Sequence, residues 1–281
     1  MDQPLPFDGS PYAISIGVRR LDLANWLDLD SRAELLAQKI PLIQSHHAEV
    51  VATISGSEVG AEEVLGVVRT ELQRHGIDED SQSTPDHSSL HPIDRAGRLV
   101  GEDLCLMEQR PELGTGYFLT AASVCFPSRW ILSEKIGTSL DAIHAPVPGF
   151  ESIAEATNRF FDAITVDRPA QRVNWTLIDD PTLFQSASAS RARDRTTDPS
   201  EIGATFHLRV ERQTLRRLPD TGGVLFTIGT TVSPLAALSS DQRRDLASTL
   251  AEVGEQTQAY KGWVGVIPSL LTWAESGSER A

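Results

Sequence analysis

Of the seven histidines in the chain, His144 has the most distinctive setting. It lies in LDAIHAPVPGF, where Pro146 and Pro148 follow closely and restrict the backbone that carries the ring. A neutral imidazole on a rigid mount suits an axial ligand, above all for a heme iron. The same setting suits a histidine that bonds a carbonyl in a tight turn. The residues alone leave both readings open.

A second group of candidates lies in TFHLRVERQ, which alternates as a strand does. Phe206, Leu208 and Val210 fall on one face, with His207, Arg209, Glu211 and Gln213 on the other. Such a polar row is either a solvated face, an ion-pair ladder or the lining of a cavity. As a lining it would offer an acid–base carboxylate beside a fixed cation. The segment QRVNWTLI adds Arg172 and Asn174 on one face and Trp175 on the other. Periodicity does not say which face points inward.

The remaining titratable groups carry less. His46 and His47 lie in a helical stretch without an evident third ligand. His87 and His91 are four apart, but Pro85 and Pro92 spoil the helical geometry that this spacing needs. Cys125, in the apolar stretch SVCFPSRW, reads as a buried structural thiol. Cys105 and Cys125 form no CxxC pair and CxxCH is absent, which argues against covalent c-type heme and structural zinc. GxSxG, HExxH, GxxxxGK[ST] and GxGxxG are also missing.

These residues need elements to position them. Helical spacing of Leu35, Leu36, Ile40, Leu42 and Ile43 predicts a helix over 31–51. Ser57 with Glu58, Glu62 and Glu63 reads as a capped, acidic start to a helix reaching Gly76. The polar run DEDSQSTPDHSS then predicts an exposed loop. VGEDLCLME and YFLTAASVCF flank the turn PELGTG and predict a hairpin. Helical pieces broken by Gly137, Pro146 and Pro148 follow, over 128–161, and then the strand from Gln171. A Ser, Arg and Asp-rich loop over 185–203 is expected to be mobile. TFHLRVERQTLRRL and GGVLFTIGTTV make a second hairpin around PDTG. A closing helix over 239–260 starts at a Ser239/Gln242 capping box and stops at Gly262. The expected architecture is α+β: a PAS-like five-stranded antiparallel sheet with helices packed on one face. It forms one domain over 1–281, with a helical N-terminal extension (about 1–95) and a C-terminal helix (about 239–273).

With 40% hydrophobic and 23% charged residues, the composition is that of an ordinary globular domain. A net charge of −14 without clustered Lys and Arg argues against nucleic acid as a partner. The first residues carry no signal-peptide pattern and no apolar run reaches membrane-spanning length, so the cytoplasm is the expected location, with no membrane partner.

Taken in order, PFDGSPY, EDLCLME, SVCFPSRW, EKIG, IHAPVPGF, NRFFD, VNWTLIDDP, LRVERQTLRRLP, VLFTI and AYKG resemble the heme-dependent oxidative N-demethylase family over about residues 7–273. IHAPVPGF and RVERQTLRRLP are the most specific of these blocks. The resemblance implies a PAS-like fold turned into an enzyme, with heme b held by a histidine. It implies oxygen as co-substrate and electrons that pass from NAD(P)H through a flavin or iron–sulfur reductase protein or subunit. The substrate would be a small secondary amine such as dimethylamine, released as the shorter amine and an aldehyde. Residue by residue, it implies His144 as the metal ligand and Arg172 and Trp175 as cofactor-binding. Glu211, Arg209 and Asn174 would be catalytic: Glu211 binds the ammonium or takes its proton, while Arg209 or Arg172 faces reduced oxygen or a heme propionate. Two other roles stay open: a non-catalytic heme sensor, or a binder of another small ligand. One departure stands out. Where the family's last strand reads FTIRTY, this chain has FTIGTT, with Gly229 and Thr231; the expectation is a pocket enlarged or neutralised there.

Overall fold

The structure is a computed structural model that describes residues 5–77, 87–185 and 197–276. The five expected strands all form: β3 (Asp103–Gln109), β4 (Tyr117–Ser123), β5 (Ala170–Ile178), β6 (His207–Arg217) and β7 (Val224–Pro234). Two short strands, β1 (Arg19–Arg20) and β2 (Val51–Thr53), extend the sheet at its two edges. All seven pair antiparallel in the order β1-β5-β6-β7-β3-β4-β2. The expected five-stranded sheet is therefore wider by two. Neither added strand is long enough to show an alternating pattern, which is why periodicity missed them.

Helices cover both faces of the sheet, not one. On the first face, Leu104, Leu106, Ala121 and Leu225 pack against α1 (Arg32–Ser45), α3 (Glu58–Arg74) and α4 (Pro92–Gly97). Further along that face, Trp175, Leu177, Leu208 and Val210 pack against α9 (Ser240–Leu250) and α11 (Val266–Ser276). On the second face, Cys105, Met107, Leu119 and Leu215 meet residues of α5 (Leu132–Lys135), α6 (Leu140–His144) and α7 (Ala154–Ala163). Full burial of one such aliphatic side chain is worth about 1.5–3 kcal/mol. The β3–β4 hairpin is buried along nearly its whole length because it is sandwiched.

Several local details differ from the sequence expectation. The helix over 31–51 breaks after Ser45 into α2 (His47–Val50), and its end becomes β2. Ser57 does not cap α3; its hydroxyl donates to Ile54 O instead. The closing helix breaks after Leu250 and resumes as α10 (Glu255–Lys261), while the Ser239/Gln242 capping box and the left-handed stop at Gly262 (φ 71°) are both present. The loop over 185–203 lies mostly outside the described residues, and its end runs into the short helix α8 (Ile202–Thr205).

One buried ionic knot fixes α1 to the sheet. Lys39, fully buried, donates from Nζ to Val100 O (3.1 Å) and Glu102 O (2.5 Å) and lies 4.0 Å from Asp103 Oδ1. The Asp103 carboxylate accepts from the Cys125 and Phe126 amides at 2.8 and 2.9 Å. A buried charge left unpaired is costly, so this arrangement specifies how the loop after β4 leaves the sheet. That loop leads into the site.

Candidate functional site

His144 is the last residue of α6, a single turn started by Ser139, whose hydroxyl accepts from the Ala142 amide. Its Nδ1 lies 2.8 Å from Leu140 O. A carbonyl can only accept, so Nδ1 carries the proton and Nε2 keeps its lone pair. The ring stacks on Phe150 with centroids 4.8 Å apart and planes at 17°. Gly149 turns the chain between them (φ 81°), and a Cβ there would meet Ile14 Cγ2 at 3.3 Å. Burial lowers the His144 pKa below its usual value, and the positive charges of Arg172 and Lys135 act the same way. The turn-histidine and ligand readings thus coexist. One nitrogen bonds the carbonyl, and the other is a neutral donor of the kind that iron takes.

The polar row of β6 points inward. Arg209 is fully buried and Glu211 is 7% exposed, so the solvated-face reading fails. Arg209 spreads its guanidinium over three acceptors: Glu211 Oε1 (3.2 Å), Leu183 O (3.1 Å) and Phe126 O (2.5 Å). The second Glu211 oxygen accepts from Asn174 Nδ2 at 3.2 Å and Gln213 Nε2 at 3.1 Å. Asn174 faces Glu211 across the β5–β6 ladder, and Thr230 faces it across β6–β7. The Thr230 hydroxyl is buried and has no partner among the described residues. The result is a carboxylate held still by three donors, with an unsatisfied hydroxyl beside it.

Arg172 differs from Arg209. Among the described residues its buried Nε has no partner, and Nη2 reaches only Ser15 O at 3.5 Å. Its charge acts on His144, and Glu211 and Tyr12 act on Arg172. It is therefore the arginine with donors to spare, whereas Arg209 ties the frame together. Trp175 points to the opposite face of β5 and stacks on Trp263 at 5.7 Å (29°). Phe7 and Tyr12 meet it edge-on at 5.4 and 6.0 Å. The structure brings Arg172, Asn174, Arg209 and Glu211 onto one face with His144 in reach of Arg172's charge, and sets Trp175 in the wall behind them.

Four residues without an assigned role in the sequence reading belong to this neighbourhood. Lys261 donates from Nζ to Trp175 O at 3.0 Å, and Trp263 Nε1 donates to Leu177 O at 3.3 Å, so both close the outer edge of β5. Arg129, in the left-handed region (φ 61°), donates to Lys261 O at 3.2 Å and faces Asp179 at 3.7 Å. Tyr260 is half exposed; partial desolvation, then the charge of Glu211, raise its phenol above the usual range. AYKG was the available signal, but a lysine directly before a helix-stopping glycine reads as an exposed C-terminal cation.

Burial pulls the Lys261 pKa down to about 8, with Glu211 opposing and Arg172 assisting. Because the folded value lies below that of the unfolded lysine, the native state gives up this proton first as pH rises. The Lys261 contribution to stability should therefore grow between pH 8 and 9, where the unfolded chain still holds its proton. The buried Cys105 and Cys125 thiols, raised by burial, act in the opposite sense over the same range, since in the unfolded chain they ionise at about pH 8.5. Urea denaturation at pH 8 and 9 checks this: the wild type should gain stability relative to Lys261→Met between the two, and a constant difference would reject the assignment.

Gly229 and Thr231 fall on the other side. Gly229 faces Arg212 and Thr231 faces Val210 across the β6–β7 ladder, on the opposite face from Glu211 and Thr230. A Cβ at Gly229 would touch Glu102 Cγ at 3.6 Å. Strand alternation thus puts the departure at Gly229 and Thr231 on the sheet face that Glu211 does not share.

A family model described as "HODM_asu-like: Haem-dependent oxidative N-demethylase, alpha subunit-like" matches residues 74–271. The chain belongs to this family. The match takes in β3 to β7 and every residue from His144 to Lys261 named above, and leaves out α1, α2 and the segment that carries Tyr12. For an N-demethylase-family chain the residues present can be tested against a heme. His144 offers one neutral nitrogen, and Arg172 Nε and Thr230 Oγ1 are buried polar atoms without partners among the described residues. This set fits a heme with a single histidine ligand. Among the described residues no group of three or more His, Cys, Asp or Glu forms another metal site, and no helix is long and apolar enough to cross a membrane.

Proposed function

We propose that this chain catalyses the oxidative N-dealkylation of a small secondary amine, with heme b held through His144 Nε2. Oxygen is the co-substrate, and electrons arrive from NAD(P)H through a flavin or iron–sulfur reductase protein or subunit. The observation that carries the reading is the His144 tautomer, in a chain whose family is heme-dependent. When bound, heme supplies oxygen activation and accepts the electrons that the reaction consumes. With two electrons and two protons, amine and oxygen yield the shorter amine, an aldehyde and water.

The protein's own residues do the rest. Glu211, with three donors on its two oxygens, keeps lone pairs free to accept from the substrate nitrogen. An alkylamine is protonated at neutral pH, and an acceptor that takes its proton exposes the nitrogen lone pair for oxidation. Asn174 and Gln213 fix the direction of that carboxylate. Arg172, with spare donors near His144, suits an anionic group of the cofactor or an oxygen bearing negative charge.

The test is an absorption spectrum of hemin-reconstituted protein, then aldehyde release from an amine with reductase and NADH. A Soret band at near-stoichiometric loading with amine-dependent aldehyde supports the reading; a band without turnover on any amine favours a sensor. Glu211→Gln should keep the band and lower the turnover number by about 10²–10⁴-fold, the usual contribution of a positioned acid or base. Turnover at the native rate would remove Glu211 from the chemistry.

A further inference from the structure

The charges around the site do not balance. Glu211 is the carboxylate of the polar row, and Arg209 already pairs with it at 3.2 Å. Arg129 is matched by Asp179 at 3.7 Å. Arg172 and Lys261 remain, and among the described residues neither has an ion-pair partner. Their donor capacity is also underused. Arg172 has a buried Nε without a partner and one long contact, from Nη2 to Ser15 O at 3.5 Å. Lys261 has three donors and spends one on Trp175 O.

The two cations share a location. Arg172 and Asn174 stand on the same face of β5, and Asn174 touches Glu211. Lys261 reaches the carbonyl of the next residue, Trp175, from the open edge of the same strand. Lys261 lies within electrostatic reach of Arg172, and both lie within reach of Glu211. Partly buried cations without a counter-ion are costly, and an anion relieves that cost. A planar guanidinium fork beside a compact ammonium matches the flat, two-oxygen shape of a carboxylate.

We propose that Arg172 and Lys261 form a carboxylate-binding pair at the outer edge of β5, filled by a heme propionate or by a carboxylate on the amine substrate. The pair itself follows from charge and unpaired donors; which carboxylate fills it rests on the heme-enzyme reading. If the carboxylate belongs to the substrate, the substrate is an N-alkyl amino acid, its nitrogen at Glu211 and its carboxylate at the two cations.

The experiment titrates hemin and hemin dimethyl ester, which lacks both free carboxylates, into apoprotein of the wild type, Arg172→Gln and Lys261→Gln. N-methylglycine and dimethylamine are titrated into the same proteins by calorimetry. A propionate source predicts that each substitution weakens hemin by about tenfold or more, the size of one charge-assisted contact, and leaves the ester unchanged. A substrate source predicts unchanged hemin affinity, N-methylglycine weakened by about tenfold or more, and dimethylamine unaffected. Wild type that takes up no hemin yet binds N-methylglycine through these residues would sink the heme reading and sustain the pair. Glutamine at 261 can still donate to Trp175 O, thermal melts check that both variants fold, and Arg172→Lys should recover part of the loss. The pair is overturned if wild type binds neither hemin nor N-methylglycine. It is equally overturned if both variants bind them as wild type does, or if the ester weakens as much as hemin.

Discussion

Replacing His144 with Ala should reduce heme loading from near one per chain to none while leaving the apoprotein folded. The apoprotein cost is small because the side chain makes one hydrogen bond, to Leu140 O, and one stacking contact, with Phe150. Losing them removes about 1–2 kcal/mol. Loss of the proposed ligand is a different matter, since His144 is the histidine that Arg172's charge reaches, while His47 and His91 are engaged elsewhere. His47 bonds Asp94 at 2.7 Å, and His91 accepts from the Ile93 amide on Nδ1 and meets Ser57 Oγ through Nε2. The measurement is the Soret band after hemin reconstitution and desalting, with a thermal melt on the same samples. Wild type should melt higher with hemin, by the mass-action gain of roughly 4 kcal/mol at a thousandfold excess over Kd, and His144→Ala should show no gain. His144→Gly with added imidazole should regain the band, since the free base can occupy the space of the lost ring. A His144→Ala protein that loads fully would remove this residue as ligand.

What the sequence made legible follows from which signals are local. The five long strands were legible because alternation over seven or more residues is a property of the segment itself. The order of strands, the two edge strands and the covering of both faces depend on distant segments, and no window contains them. His144 stood out because the rigidity of APVPGF is written locally, and its Leu140 partner lies one turn back. The inward direction of Arg209 and Glu211 could not be read, since a polar row looks the same in water or against Leu183 and Phe126, which come from other loops. Trp175 is the contrasting case. A tryptophan beside site residues invites a role in the site, yet in a strand adjacent side chains part to opposite faces. Lys261 was hidden for a related reason: its importance comes from a carbonyl on β5, far away in sequence.

Arg209 is expected to be a residue of stability before it is one of catalysis, and Arg209→Met should show it. The substitution keeps much of the side-chain volume but removes every donor. It leaves Phe126 O and Leu183 O without the donors they have now, and it leaves the buried Glu211 carboxylate without its cation. Breaking a buried pair from one side costs roughly 3–5 kcal/mol. At about 2–3 °C per kcal/mol for a chain of this size, the melting temperature should fall by about ten degrees. Arg209→Lys should recover only part, because one ammonium cannot span three acceptors set around a fork. The double variant Arg209→Met with Glu211→Gln removes the stranded charge as well. It should be more stable than the sum of the two single effects predicts, by a coupling of about 0.5–3 kcal/mol. Arg172→Met, by contrast, breaks no ion pair and should cost about 1 kcal/mol or less. An Arg209→Met protein that melts with the wild type but has lost turnover would reverse this assignment. The guanidinium would then act on the substrate or on oxygen, and its three protein acceptors would be a resting arrangement.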